Sequence, residues 1–446
     1  MGPSARMLRQ QATTIAADLQ KAGHQALFAG GCVRDRILGI EPSDYDIATS
    51  ARPEEVEALF KDTVGVGRKF GVILVGLAGH HFEVATFRKD SAYQDGRRPI
   101  AVTYTSAEED AQRRDFTINA MFEDPLSGET IDYVDGRRDL EAGILRAVGD
   151  ATTRFREDRL RMLRAVRFAA RLDFSIEAST MDAIKAEAGR IWEISAERIG
   201  DELVRILTDG RARRGMELLD QSGLMTPLLP ELVAMKNCDQ TPDFHPEGDV
   251  FEHTLRCLDQ LKPGCTTTLA LGVMLHDVAK PPTRSVHDDG RTSFHGHCKI
   301  GGDMAVDICK RLRLSNDVAE GVKFLVVQHL RHTSAADMKA STLKRFLRQE
   351  GIEELLELTR IDALSSNGDL SHYNFCLDAL QNMPAEVARP TPLINGHDLI
   401  EMGFEPGPRF HEVLEQIEDA QLEERISSRE QALELVRRLY ADGRRD

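Results

Sequence analysis

The chain has no apolar run long enough to cross a bilayer. It has no C-x-x-C pair either. Its seven cysteines lie scattered along 446 residues, an odd, unpatterned set that argues against a disulfide framework or a zinc ribbon and fits a reducing cytoplasm. Cys32 reads as small filler rather than as a nucleophile. The opening residues, MGPSARMLRQQATTIAADLQ, lack the apolar core of a signal peptide; Leu8, Ala12, Ile15 and Leu19 instead predict a helix. There is no internal repeat and no low-complexity tract. Excess positive charge is also missing. The net charge is −16, which by itself argues against a nucleic-acid partner. The distribution says otherwise. Arginines crowd between Arg154 and Arg171 and at Arg211, Arg213 and Arg214, with a smaller basic group at Lys344, Arg345 and Arg348, while acidic residues gather between Glu412 and Glu434. This pattern predicts a selective, shaped contact with RNA rather than adhesion to any polyanion. No feature points to a membrane or to a particular oligomeric state.

What is present is a soluble-type composition, 41% apolar and 29% charged, on a chain long enough for about two to four domains. The densest chemistry lies between Gly30 and Asp46, GGCVRDRILGIEPSDYD. A strand-like run, Ala26 to Ala29, precedes it. Gly30 and Gly31 let backbone N–H groups approach a polyphosphate, and Arg34 offers a charged fork to phosphate oxygens. Tyr45 to Ile47 reads as a strand, on which Asp44 and Asp46 point to one face. Two hard oxygen ligands side by side suit Mg²⁺. Such a group of parts fits in-line phosphoryl or nucleotidyl transfer.

Gly71 to Gly76 and His81 to Phe87 read as strands of a hairpin turning at Ala78-Gly79. Glu83, on the second of them, is either a third metal-site carboxylate or a solvent-facing strand residue. Asp90 to Thr105 is polar and reads as a loop. From about Arg154 the patterns are helical, with breaks at Pro242, Pro246 and Gly248 and again at Pro384, Pro390 and Pro392. Arg113 to Met121, RRDFTINAM, begins as a charged turn and runs into an apolar helix; Arg114 can reach a triphosphate, and Asp115 can cap the helix or orient Arg114. Phe155 to Leu172 reads as one helix. On it Asp158, Arg161, Arg164 and Arg167 recur every three residues as a slowly turning stripe, opposite Leu160, Leu163, Val166 and Ala170.

GG-x-VRD-x-x-LG followed by D-x-D resembles the nucleotidyltransferase head of bacterial class II CCA-adding enzymes and poly(A) polymerases, within the polymerase β superfamily. RRDFTINAM resembles the family's second motif, which implies nucleotide contact at Arg114. Asp132 to Leu140, DYVDGRRDL, resembles the segment joining head to neck; Asp135 and Asp139 there read equally as structural or functional. Glu157-Asp158-x-x-Arg161 resembles the E-D-x-x-R motif. A carboxylate accepts from the exocyclic amine that cytosine and adenine carry and uracil lacks, and a guanidinium donates to the adjoining ring acceptor. Asp158 and Arg161 would therefore favour CTP and ATP over UTP. By resemblance Arg164 and Arg167 assist the nucleotide. Glu197-Arg198-Ile199 with Glu202 resembles the following motif and reads as helix-packing scaffold.

A second constellation follows. His253 lies in FEHTLRCLDQL, His276 and Asp277 close LALGVMLHDVAK, FHGH supplies His295 and His297, His329 and His332 come next, and Asp362 lies in LTRIDAL. A His-Asp pair ending an apolar run needs partners. The order H…HD…D resembles the HD phosphohydrolase superfamily. That implies a divalent site at His253, His276, Asp277 and Asp362 for Mg²⁺, Mn²⁺ or a transition metal, with His295 and His297 as substrate contacts.

The resemblances together imply an α+β chain, with a polymerase β-like mixed-sheet head at 1–150. A helical neck and RNA-binding region at 151–244, an HD domain at 245–370 and a helical tail at 371–446 follow. The implied activity is cytoplasmic addition of CMP and AMP to the tRNA 3′ acceptor end, from CTP and ATP. Mg²⁺ would sit at the catalytic Asp44 and Asp46, with Glu83 a further candidate catalytic carboxylate, and an HD phosphohydrolase activity would accompany it. The alternatives are a poly(A) polymerase, against which the small Gly71 and the acidic tail weigh, a CC-only or A-only enzyme, and an HD phosphohydrolase with an RNA-binding head.

Overall fold

In the computed structural model of the chain, residues 5–90, 102–240, 248–288, 291–383 and 391–440 are described. Most of the loop expected from Asp90 to Thr105, together with Pro242, Pro246, Pro384 and Pro390, lies outside them. The chain forms two compact units. The first comprises Met1–Val233 with Lys262–Gly264 and Arg311–Arg313; the second comprises Ala234–Leu261, Cys265–Lys310 and Leu314–Asp446. The division at Val233/Ala234 precedes the break expected near Gly248. No helix among the described residues is long and apolar enough to cross a membrane.

The first unit is built on a mixed sheet. Its strands β1 (Ala26–Ala29), β2 (Asp46–Thr49), β3 (Thr63–Gly67), β4 (Val72–Leu77) and β5 (His80–Thr86) lie in the order β3-β4-β5-β2-β1, extended by Phe122–Glu123 and Thr130–Ile131. Strand β1 is buried along its whole length, as a central strand covered on both faces should be. β2 runs antiparallel to β1 and parallel to β5. β4 and β5 form the expected hairpin, turned through Ala78 and Gly79, both with positive φ, as a two-residue hairpin loop demands. The N-terminal helix Ala5–Lys21 buries Ala12, Ile15, Ala16 and Leu19.

Helices Ala151–Glu157, Leu160–Leu172, Ala178–Glu187 and Ala196–Thr208 follow. Two expectations are corrected here. The segment Phe155 to Leu172 is not one helix: it breaks at Asp158, whose backbone is extended (φ −147°, ψ 105°) because its carboxylate accepts the Leu160 N–H at 3.0 Å, a local bond that competes with helix continuation. RRDFTINAM does not run into a long helix either. It makes a single 3₁₀ turn, Thr117–Asn119, and then enters the sheet at Phe122, where Phe116, Ile118, Met121 and Phe122 are buried in the core.

The second unit packs helix Thr267–Leu275 against Asn316–Gln328 and Ile352–Ser365. Gly272 permits the close crossing, since a Cβ there would come within 2.6 Å of Leu325. Helix Val250–Asp259 packs on the same bundle. A separate small core, including Leu399, Val413, Ile417 and Val436, ties the last helices together. The architecture is α+β, as expected.

Candidate active site

The first unit opens a cleft of about 580 Å³ whose walls include Gly30, Gly31, Arg34, Asp44, Asp46, Glu83, Arg114, Asp158, Arg161 and Arg164. Ten residues named from sequence therefore meet in one cavity. Their positions follow from the sheet. β2 and β5 run parallel with Ile47 beside Val84, so Asp46 and Glu83, one residue earlier on each strand, are neighbours. Tyr45 and Ile47, and Phe82 and Val84, are buried on the other side, which turns both carboxylates toward the cleft. Asp44 lies just outside β2 and is exposed. Desolvation at the cleft floor, with Glu83 and Asp44 adding repulsion, pushes the Asp46 carboxyl up from 3.8 to about 7 despite the opposing Arg114. Cys32, beneath it, is buried and pushed up to about 12, first by desolvation and then by Asp46; it is an inert thiol.

Gly30 has φ 77°, ψ −129° and precedes helix Gly31–Ile37. Its conformation favours glycine, and a Cβ there would come within 3.2 Å of an Arg114 guanidinium nitrogen. Bare backbone thus stands directly beside a cation.

The arginines are held by carboxylates, near in sequence for Arg34 and Arg114 and distant for Arg164. Arg34 is buried, pairs with Asp35 at 2.6 Å and donates to Asn119 Oδ1 at 2.6 Å. Asn119 in turn donates to Asp115 Oδ1 at 3.3 Å, and Asp115 Oδ2 accepts from Arg164 at 2.7 and 2.9 Å. Asp115 also accepts the Phe116 N–H at 2.8 Å. Burial alone would raise Asp115, but Arg164 brings it below the usual carboxylate range. Asp115 therefore orients Arg164. Arg114 is oriented by Asp110, at 3.0 and 3.2 Å, and lies over the Phe122 ring. Asp110 is a residue that the sequence reading missed; its place four residues before Arg114 was the available signal.

At the opposite wall, Asp158 receives a bidentate pair from Arg198 at 2.7 and 3.1 Å. Arg161 donates to Glu157 at 2.6 Å and to the Arg154 and Arg113 carbonyls at 3.0 and 3.3 Å. Arg167 does not line the cleft. It is buried, pairs with Glu202 at 2.6 Å and Asp209 at 3.5 Å, and caps the Phe168 ring at 4.3 Å. Within the stripe Arg161 thus pairs with a local carboxylate, whereas Arg164 and Arg167 find their anions on other segments. Asp139 accepts from Thr117 and Arg146 and Asp135 takes a left-handed conformation ahead of helix Gly136–Glu141; neither lines the cleft.

The second unit gathers His253, His276, Asp277, Asp362, His297 and His329. His253 Nε2 lies 3.1 Å from Asp362 Oδ1 and 3.3 Å from His276 Nε2, and His276 Nε2 lies 3.3 Å from Asp277 Oδ2. His276 ends helix Thr267–Leu275 and its Nδ1 meets the Val273 carbonyl at 2.9 Å. Burial opposes ionisation of Asp277, yet Lys280, at 2.7 Å, and the imidazoles hold it well below the usual carboxylate range; Asp362 is likewise lowered by its bond from His253, against its burial. Burial, with His276 next, pushes His329 down to about 3. His295 is exposed, and His332 is buried with its Nδ1 on the His329 carbonyl at 2.8 Å.

Residues 26–146 match the poly A polymerase head domain family, 173–235 the RNA- and SrmB-binding region of polymerase A, and 292–436 tRNA nucleotidyltransferase domain 2. A CCA-adding enzyme of Lactobacillus johnsonii is 33% identical over 95% of this chain and 95% of its own length; one from Lactiplantibacillus plantarum is 48% identical over 49% of this chain and 52% of its own. The crystal structure of the Bacillus stearothermophilus CCA-adding enzyme in complex with CTP superposes with a TM-score of 0.76 at 27% identity, each chain covered completely. The Thermotoga maritima CCA-adding enzyme complexed with tRNA shares the fold, with a TM-score of 0.59 at 22% identity over 96% of this chain and 94% of its own.

Proposed function

From the fact that this chain belongs to the CCA-adding enzymes, we propose that it adds CMP and AMP, without a template, to the 3′ acceptor end of tRNA in the cytoplasm, using CTP and ATP. The observation that carries the reading is a single cleft with three carboxylates on its floor, guanidinium groups along its walls and the Asp158–Arg161 pair facing in. In this reading the head spans 1–150, a helical neck and RNA-binding region 151–244, an HD-type region 245–370 and a helical tail 371–446.

Asp44, Asp46 and Glu83 suit Mg²⁺. The Asp46 carboxyl is raised first by desolvation and then by repulsion from Glu83 and Asp44, and a divalent cation relieves both. Bound there, such cations neutralise charge on the α-phosphate and lower the pKa of the terminal ribose hydroxyl. The chain's own groups do the holding. Gly30 and Gly31 let the triphosphate lie against backbone N–H groups. Arg114, fixed by Asp110, and Arg34, fixed by Asp35, meet its oxygens.

Asp158 reads the base with Arg161. Two donors, Leu160 N–H and Arg198, occupy Asp158 Oδ1, and Arg198 alone occupies Oδ2, so Oδ2 keeps a lone pair for an exocyclic amine. Arg161 donates to the neighbouring ring acceptor. A uracil carbonyl facing Oδ2 would leave two acceptors opposed. Arg164 and Arg167 brace this wall through Asp115 and Glu202.

His253, His276, Asp277 and Asp362 fit a divalent cation, Mg²⁺, Mn²⁺ or a transition metal: His276 Nδ1 is engaged by a carbonyl, its Nε2 faces the His253 imidazole and the Asp277 carboxylate, and His253 in turn faces Asp362. An HD-type phosphohydrolase activity is assigned to this cluster.

The test supplies tRNAs ending at the discriminator base, at C and at CC, each with one labelled nucleotide. Short products containing only C and A are expected. Long A tails would mean a poly(A) polymerase, equal use of UTP would refute the role of Asp158 and Arg161, and a product stopping at CC would mean a partial enzyme. Asp46→Ala should abolish incorporation and spare phosphatase activity, and His276→Ala should do the reverse.

A further inference from the structure

We propose that Phe168 is a positioning residue for the nucleotide's phosphates: its ring aligns the guanidinium groups of Arg34 and Arg164 so that their open sides meet phosphate oxygens together. The inference rests on reading the cleft as the nucleotide site and deepens it.

Phe168 is 6% exposed and lines the cleft. Its surroundings differ from those of a ring packed among aliphatic side chains. Three guanidinium carbons lie over it, Arg34 Cζ at 5.2 Å, Arg164 Cζ at 5.1 Å and Arg167 Cζ at 4.3 Å from the ring centre. Arg164 and Arg167 come from helix Leu160–Leu172, as does Phe168, whereas Arg34 comes from helix Gly31–Ile37 behind the glycine turn. The negative face of an aromatic ring attracts cations, and a planar guanidinium also stacks on it. Arg167 is neutralised by Glu202 and Asp209 and does not line the cleft. Arg34 and Arg164 both line it.

Those two arginines are held alike. Each gives Nε and Nη2 to a single carboxylate oxygen: Arg34 to Asp35 Oδ1 at 2.7 and 2.6 Å, and Arg164 to Asp115 Oδ2 at 2.9 and 2.7 Å. The Nη1 side remains. Arg34 Nη1 donates one N–H to Asn119 Oδ1 and keeps the other. For Arg164 Nη1, the nearest anion among the described residues is Glu202 at 3.9 Å.

The edges of the two groups are linked through Asn119 and Asp115, and their faces through Phe168. A guanidinium fixed along one edge still tilts about that edge; a ring against its face removes the tilt. Phe116 sets both links. Its N–H binds Asp115 at 2.8 Å, and its ring meets Phe168 edge to face, with centroids 6.0 Å apart at 78°. Two cations aligned in advance, each with donors to spare, suit the clustered oxygens of a polyphosphate. An aliphatic side chain of similar bulk would fill the space without attracting either charge.

The test replaces Phe168 in the full chain by mono-, di- and trifluorophenylalanine, which keep the shape of the ring and drain its negative face stepwise. Affinities for CTP, ATP and pyrophosphate are read by titration calorimetry with Mg²⁺ present. All three should weaken by the same factor at each step, reaching about tenfold with the trifluoro ring. The same replacements at Phe155, a buried ring of helix Ala151–Glu157 with no cation over it among the described residues, should change none of them. If the trifluoro protein does not fold, the first two steps still give the slope. Flat affinities across the series overturn the role of Phe168 and leave the cleft as the nucleotide site. Weaker CTP and ATP with unchanged pyrophosphate would put the ring at the base and overturn it equally. A natural chain that binds none of the three ligands overturns both readings.

Discussion

The carboxylate floor of the cleft should make the metal-free protein less stable than a variant that cannot work. In the folded state the Asp46 carboxyl is raised from 3.8 to about 7, whereas in the unfolded chain it returns to its ordinary value. Between those values the folded state binds the extra proton, so stability falls as pH rises from about 4 to 7 and stays lost above that. Three pH units correspond to about 4 kcal/mol. Asp46 is open to solvent, however, and screening reduces that to about 1–2 kcal/mol. Asp46→Asn removes the charge at nearly constant shape. In chelator at pH 8 it should raise the melting temperature of the first unit by about 2–8 °C, at 2–4 °C per kcal/mol for a unit of this size. By pH 5 roughly a third of the gain should remain, because only about a third of the interval between the two pKa values has been crossed. Mg²⁺ should stabilise the natural chain and not the variant, and the variant should lose nucleotide incorporation. Differential scanning calorimetry across pH, with and without Mg²⁺, reads all of this. An Asp46→Asn protein that melts at or below the parent temperature at pH 8, or a difference that does not change with pH, would show that neither desolvation nor carboxylate repulsion raises Asp46.

Three other outcomes are expected. Glu202→Ala leaves Arg167 buried with only Asp209 at 3.5 Å and should cost about 2–4 kcal/mol in urea unfolding; replacing both partners by apolar residues should recover most of it. Arg198→Ala frees Asp158 to turn away from the base, so the preference for CTP over UTP in kcat/KM should fall about tenfold while overall stability changes by under about 1–2 kcal/mol. Asp110→Asn loosens Arg114 and should raise KM for both CTP and ATP by about tenfold with their ratio unchanged, measured by single-nucleotide incorporation.

The parts of the site that lie close together in sequence were legible there. The glycine turn, Asp44 and Asp46 sit within one short unit, and the β4–β5 hairpin announced itself through alternation and Ala78-Gly79. The parts set by long-range pairing were not. That Glu83 neighbours Asp46 depends on parallel register between β2 and β5, which no local pattern encodes. The partners of the arginine stripe, Asp115, Glu157 and Glu202, are found mostly on other segments, so the three arginines of the stripe give no sign in sequence that each is paired. Arg167 is the clearest instance: its periodicity matches that of Arg161 and Arg164, but its side chain is buried against Glu202 and Asp209. The helix break at Asp158 was hidden because an uninterrupted 3.6-residue pattern flanks it, and only the side chain's own bond to Leu160 interrupts the backbone.

Ile47 lying beside Val84 has a consequence for how this enzyme can change over time. Side chains alternate strictly along β2 and β5, so inserting or deleting one residue within either strand would swing an acid to the buried side and drag an apolar neighbour into its place. Loops on either side of these strands can lengthen or shorten freely, whereas the strands themselves can drift only by substitution.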